Sequence, residues 1–243
     1  GGREREHMLA RVEVEGWQHW EAARREGRGI VIVTGHLGGW ELLGAKLAQW
    51  LERESAGRVR MHVLYQPVVP PSLDRAIRRI RERSGVVPLS VENGLGPAVR
   101  ALRAGQVVGL LIDRVPRGTA VAGRFFGERC RIAPGAARLA LAGRAWVLPV
   151  ALWNEPSGGY RVRFFPPLGA SEEGEGRDPV VALTRAMNRA LEEMIRRAPE
   201  QWPWFEDRWK ERPGVTLGGD DPEDAGVPPG PPLHLPLRDR LRT

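Results

Sequence analysis

Two short runs in this chain are apolar on both faces. Gly29-Ile30-Val31-Ile32-Val33-Thr34 has no charged position before Gly35, and Val107-Val108-Gly109-Leu110-Leu111-Ile112 continues without one to Asp113. A strand with one solvated face alternates polar and apolar residues. A strand that does not alternate must be covered from both sides, which is the condition inside a parallel sheet packed between helices. The segments between and around these runs supply the helices. Residues 40–51 place Leu43, Leu47 and Trp50 on one face, and residues 72–83 and 97–103 also read as helices; residues 59–65 and 86–89 read as further strands. Strands and helices taking turns predict parallel β-α-β units, hence an α/β single domain with a mixed, largely parallel sheet flanked by helices.

The second half changes character. A Gly/Arg-rich loop is expected over 114–124, then a helix near 134–142, a hairpin of strands over 146–153 and 160–165, and a long helix over 180–197 with Leu183, Met187, Leu191 and Met194 as its apolar stripe. At the front, Leu9, Val12, Gly16 and Trp20 have helix-like spacing, so residues 4–25 read as an amphipathic helix leading in. Beyond Pro213, prolines, glycines and acids dominate. These shifts divide the chain into a lead-in helix over 1–28, a main domain over 29–213 and a Pro/Gly-rich tail over 214–243.

Composition narrows the class of function. With 243 residues, 42% hydrophobic and 28% charged, the chain is long enough for a substantial core, which excludes disorder for most of it. Cys130 is the single cysteine, so neither an internal disulfide nor a thiolate metal cage is available. The net charge is +7, and Lys46 and Lys210 are the only lysines. Such an arginine-rich balance suits nucleic acid, an anionic membrane face or an acidic protein. No run of 18 apolar residues occurs in this sequence.

The best local chemistry is Thr34-Gly35-His36-Leu37-Gly38-Gly39-Trp40-Glu41. It puts a histidine at the carboxyl end of a buried strand, the edge where open α/β sheets bind ligands. A carboxylate beside an imidazole holds one ring nitrogen protonated and frees the other to take a proton from a hydroxyl. His36 with Glu41 is therefore a candidate general-base pair. On spacing alone, a hydrogen-bonded turn histidine with Glu41 as a helix-capping acid fits equally well. Zinc is disfavoured because H-x4-E lacks the second histidine of the helical zinc motif, and His7, His19, His62 and His234 are isolated. Cys130 lies between Arg129 and Arg131 with no histidine nearby in sequence.

Four blocks in order carry a resemblance to a known family. They are His36-Leu37-Gly38-Gly39-Trp40-Glu41; Leu73-Asp74-Arg75-Ala76-Ile77-Arg78-Arg79; Asp113-Arg114 with Phe125-Phe126-Gly127 and Gly135-Ala136-Ala137-Arg138-Leu139-Ala140; and Pro199-Glu200-Gln201-Trp202-Pro203-Trp204 with Arg208-Trp209-Lys210. The chain resembles the bacterial lipid A biosynthesis acyltransferases of the lauroyl/myristoyl type, with their relatives that acylate phosphatidylinositol mannosides. It departs from the family at Gly39, where asparagine is usual, and at Gln66, where many members carry an arginine. Asp113-Arg114 looks more like the mannoside branch.

The resemblance implies a glycerolipid-acyltransferase-like fold and an O-acyltransferase that moves a fatty acyl chain from an acyl carrier protein or coenzyme A thioester to a hydroxyl of a glycolipid. His36 and Glu41 are then the catalytic candidates, and Arg75, Arg78, Arg79, Asp113 and Arg114 the substrate-binding candidates. No metal, cofactor or nucleic acid is expected. The expected setting is peripheral, on the cytoplasmic face of the inner membrane, with anionic lipid as a partner. Trp17 and Trp20 of the lead-in helix are the expected lipid contact, with burial against the sheet as the competing role. Family members carry an N-terminal hydrophobic anchor ahead of the matching region, and this sequence starts Gly1-Gly2-Arg3, so the full-length chain is expected to have one. A non-enzymatic binder of nucleic acid or anionic surfaces is the rival from a different class.

Overall fold

The computed structural model describes residues 11–114, 118–169, 178–204 and 208–209, and the backbone of 217–218. In chain order the elements are β1 (Val12–Glu15), α1 (Trp17–Arg25), β2 (Ile30–Thr34), α2 (Trp40–Ser55), β3 (Met61–Tyr65), α3 (Pro71–Arg83), β4 (Val86–Ser90), α4 (Leu95–Arg103) and β5 (Val107–Leu111). They continue with β6 (Ala120–Phe125), β7 (Glu128–Ile132), α5 (Gly135–Gly143), β8 (Trp146–Asn154), β9 (Tyr160–Phe164), α6 (Pro179–Arg197) and β10 (Leu217–Gly218).

Seven strands form the main sheet in the order β1-β9-β8-β2-β5-β3-β4. The run from β8 to β4 is parallel throughout, whereas β9 turns back antiparallel on β8 and β1 pairs parallel with β9. The sheet is thus mixed and largely parallel. β2 lies between β8 and β5, and its alternate residues feed two different cores. Ile30 and Ile32 pack with α1 and α2 on one face, alongside Leu43, Leu47 and Leu148. Val31 and Val33 pack on the other face with Leu102 of α4, Ala137 of α5 and Met187 of α6. All five residues of β2 are buried, as a strand covered from both sides requires.

Two stretches depart from expectation. The lead-in helix expected over 4–25 is shorter: residues 4–10 lie outside the described residues, Val12-Glu13-Val14-Glu15 is a strand, and α1 starts at Trp17. The strand is held to β9 by charge, since Arg161 pairs with both Glu13 and Glu15, and Arg197 of α6 also reaches Glu15. Of the two tryptophans expected to contact lipid, Trp20 is buried and Trp17 partly buried against the sheet. Trp20 donates its indole N–H to Glu54, and Trp17 packs edge-on against Trp50 and Phe164.

The loop expected over 114–124 contains β6, which pairs antiparallel with β7 through a turn at Phe126 and Gly127. Ala-Val-Ala-Gly-Arg-Phe carries too few large apolar side chains to announce a strand. Besides pairing with β7, it is met by residues remote in sequence, for Arg185 and Asn188 of α6 donate to the carbonyls of Ala122 and Arg124. Phe125 at its end is fully buried against Phe126, Trp202 and Trp209. The tail expected over 214–243 lies outside the described residues apart from Leu217-Gly218, whose backbone pairs with Ala120 and Val121.

Candidate active site

β2 and β5 are adjacent and parallel, with Thr34 opposite Leu111. Continuing that register by two residues sets His36 beside Asp113, and the pairing carries on beyond the strands: Ile112 N–H donates to the Thr34 carbonyl at 2.9 Å. The next bond is made by a side chain. His36 N–H donates to Asp113 Oδ2 at 2.7 Å, and His36 Nδ1 lies 2.8 Å from Asp113 Oδ1. Trp202 Nε1 donates to the same Oδ2 at 3.0 Å. One buried carboxylate therefore fixes the backbone and the ring of His36 together.

Close approach in this corner depends on glycine. A Cβ on Gly35 would lie 2.8 Å from Leu191 Cδ1 and 3.3 Å from Asp113 Oδ2. Gly38 has φ +53°, and a Cβ there would come within 2.3 Å of the Leu152 carbonyl. Gly38 N–H donates to the Gln201 carbonyl, and the Gln201 side-chain amide exchanges two hydrogen bonds with the backbone of Asn154. The block at 199–204 thus clamps the turn that carries His36. The edge of Trp40 meets the His36 ring, centroids 5.2 Å apart, and limits its rotation.

Burial pushes the Asp113 carboxyl upward, but the hydrogen bonds from the His36 ring, the His36 backbone and Trp202 outweigh it, so the net shift is below the usual carboxylate range. An ionised Asp113 accepts the Nδ1 proton of His36. In the neutral ring this leaves Nε2 as the lone-pair acceptor, with no hydrogen bond to a described residue, and the imidazole keeps 22% of its side-chain surface exposed. A buried acid, an oriented imidazole and a free nitrogen form general-base geometry.

The expected hydrogen bond between His36 and Glu41 is not made. Glu41, in the first turn of α2, accepts from Arg81 Nη2 and, at 3.2 Å, from Arg81 Nε. Arg81 also stacks over the Tyr65 ring, 5.1 Å from its centroid. A fork of two guanidinium donors outcompetes an imidazole whose Nδ1 is already satisfied. Asp113, expected to meet substrate, is buried and fully engaged with His36 and Trp202, which leaves it no exposed face for a ligand. Arg114 follows it, exposed. Arg75, Arg78 and Arg79 all lie exposed on α3, and Arg78 faces Glu82 at 3.9 Å.

Trp202 and Gln201 were missed as site residues. The Gln-Trp-Pro-Trp string was legible as a motif, but nothing local says that it returns to a turn some 160 residues earlier. Cys130 sits buried in β7, where burial raises its thiol to about 11. Among the described residues there is no group of three or more His, Cys, Asp or Glu able to hold a metal.

The family model for bacterial lipid A biosynthesis acyltransferases matches residues 3–211. The chain belongs to that family. It is 27% identical to a lipid A biosynthesis acyltransferase of Haemophilus influenzae, over 84% of this chain and 60% of that protein. It is 30% identical to a phosphatidylinositol mannoside acyltransferase of Mycobacterium tuberculosis, over 83% of this chain and 61% of the relative. With the lipid A biosynthesis lauroyltransferase of Escherichia coli it shares 27% identity over 83% of this chain and 63% of the relative. The chain therefore spans about three fifths of the length of these relatives.

Proposed function

We propose that this protein is an O-acyltransferase that moves a fatty acyl chain from an acyl carrier protein or coenzyme A thioester to a hydroxyl of a glycolipid, a lipid A precursor, at the cytoplasmic face of the inner membrane. The observation that carries this reading is the His36–Asp113 pair at the carboxyl edge of β2 and β5, in a chain of this family. His36 Nε2 takes the proton of the acceptor hydroxyl as its oxygen attacks the thioester carbonyl. The imidazolium that forms is stabilised by the Asp113 carboxylate through Nδ1–H. When the tetrahedral oxyanion collapses, the C–S bond breaks and the departing thiolate receives the proton from Nε2. No covalent enzyme intermediate is required.

Asp113 acts through His36 and is a positioning residue. Glu41 and Arg81 brace the start of α2 against α3. Arg75, Arg78 and Arg79 are exposed cations able to meet a phosphate or headgroup, and Arg114 stands beside the dyad. A phosphatidylinositol mannoside is the second acceptor, favoured by Asp113-Arg114 and by the 30% identity to the mycobacterial relative.

The test is to incubate the protein with both donor types and a panel of lipid acceptors, and to read the products by mass spectrometry. Acylated glycolipid that disappears with His36→Ala supports the reading. Folded protein that leaves every acceptor unchanged with both donors sinks it.

A further inference from the structure

We infer that α3 is an interfacial helix that docks the protein on an anionic lipid bilayer through its outward face; this rests on the lipid-acceptor reading above. α3 is a helix of 13 residues in which none is buried. The other helices press apolar stripes into the sheet, but α3 keeps two of its three large apolar side chains, Leu73 and Ile80, in solvent. Leu73 is 48% and Ile80 63% exposed, with Ala76 exposed between them. At about 100° per residue, positions 73, 76 and 80 fall on one strip. Val69, just ahead of the helix, is 88% exposed.

The placement of this strip is set by the opposite side of α3. Asp74 accepts from the Tyr65 hydroxyl and from Val68 N–H, and Arg81, two turns later, stacks on the same Tyr65 and binds Glu41. Tyr65 ends β3, and Glu41 follows the His36 turn. Both anchors hold α3 to the carboxyl edge of the sheet, the edge that carries His36, and turn the Leu73–Ile80 strip outward. Leu95, 55% exposed, opens α4 just beyond the end of β4, on the same edge.

Charge selects the occupant. α3 carries five arginines against Asp74 and Glu82. Asp74 is tied inward to Tyr65, and Glu82 lies within 3.9 Å of Arg78. Arg79 and Arg83 fall beside the apolar strip and Arg75 further round, all three exposed. An apolar strip flanked by arginines matches the acyl–headgroup boundary of an anionic bilayer. Docking in this pose brings the bilayer to the edge where His36 waits for a lipid hydroxyl.

Vesicle binding and catalysis are read separately. Co-sedimentation of the 243-residue chain with phosphatidylcholine vesicles, with and without phosphatidylglycerol, is measured with no acyl donor present; acyl transfer is measured on acceptor dispersed in detergent. Wild type is expected to bind only the anionic vesicles. Leu73→Ser with Ile80→Ser is expected to lose about tenfold or more in partitioning, and Arg75→Gln with Arg79→Gln roughly fivefold per arginine removed. Both variants are expected to keep the circular dichroism and thermal transition of wild type. Binding by Leu73→Ser/Ile80→Ser equal to wild type overturns the inference. So does equal binding to neutral vesicles, or a wild-type dimer that this variant dissociates without any vesicle binding. Absent transfer in detergent with intact anionic binding counts against the acyltransferase reading and leaves the docking helix standing.

Discussion

Two corners of the same sheet edge are built on opposite terms. At the end of β2 and β5, the His36 backbone, the His36 ring and the Trp202 indole converge on one buried carboxylate, and the turn is clamped by backbone bonds to Gln201. At the end of β3, α3 is held by the half-exposed Glu41 and by Arg81 on Tyr65, and none of its residues is buried. The first corner has one arrangement because every donor there would otherwise be stranded away from water. The second keeps most of its side chains in solvent, where each contact is weak and its loss is cheap, with the largely covered Arg81 as its anchor. A site for proton transfer needs the first kind of construction, and a surface that meets lipid needs the second.

Mutations in the two corners should differ in size and in kind. The largest effect is expected from His36→Ala, which should lower turnover by on the order of 10² to 10⁴ with an unchanged far-ultraviolet spectrum. Turnover within twofold of wild type would remove His36 from the chemistry. Asp113→Asn should follow, lowering kcat by on the order of 10²-fold or more, because an amide cannot stabilise the imidazolium. Its KM should move little, since Asp113 is buried behind the ring; a change confined to KM would make it a substrate contact instead.

Asp113 also links this corner to pH. Its carboxyl lies below the ordinary range in the fold, so its stabilising contribution is complete above the unfolded value, about 3.9, and is lost as pH falls through the lowered native value. Acid titration of thermal stability should show Asp113→Asn with a shallower decline below about pH 4 than wild type. Parallel declines would mean that other carboxylates carry the transition.

Gly38→Ala tests the clamp without touching a titratable group. A side chain at φ +53° facing the Leu152 carbonyl should cost roughly 2–3 kcal/mol of stability in urea. The smallest effects belong to the exposed corner. Glu41→Gln should change stability by about 1 kcal/mol or less, as loss of a half-exposed charge does, and Arg81→Ala by about 1–2 kcal/mol, because it also strips a largely covered side chain from Tyr65. Turnover on detergent-dispersed acceptor should stay within about threefold, a rate ratio worth less than 1 kcal/mol. A hundredfold loss for Glu41→Gln would restore Glu41 to the reaction and collapse the contrast between the corners.

Much of this architecture is legible in the residues alone. A run apolar on both faces has one stable environment, a strand covered from both sides, so β2 and β5 follow from Ile30-Val31-Ile32-Val33 and Val107-Val108 without any knowledge of their neighbours. The glycines around His36 likewise announce a turn at a strand end. β6 is hidden because its small residues and arginine do not alternate, and because two of its carbonyls are met by side chains of the distant α6. The lead-in strand was hidden for a related reason: Val-Glu-Val-Glu has the right period, but only the distant Arg161 and Arg197 make its acids useful in a sheet edge.

The assignment of the acid to the histidine was decided by tertiary structure. Sequence proximity pointed to Glu41, five residues from His36. Strand register pairs His36 with Asp113 instead, 77 residues away, because β2 and β5 are neighbours and their chains leave the sheet in step. The role of the tryptophans was settled the same way, with Trp20 drawn inward by Glu54 and Trp202 returning to Asp113. Sequence determines which segments must be covered, since burial of apolar side chains is a property of each segment and its period. Only the assembled sheet decides which polar groups meet, since a hydrogen bond depends on a distance, and distances between remote residues exist only once the strands are in register.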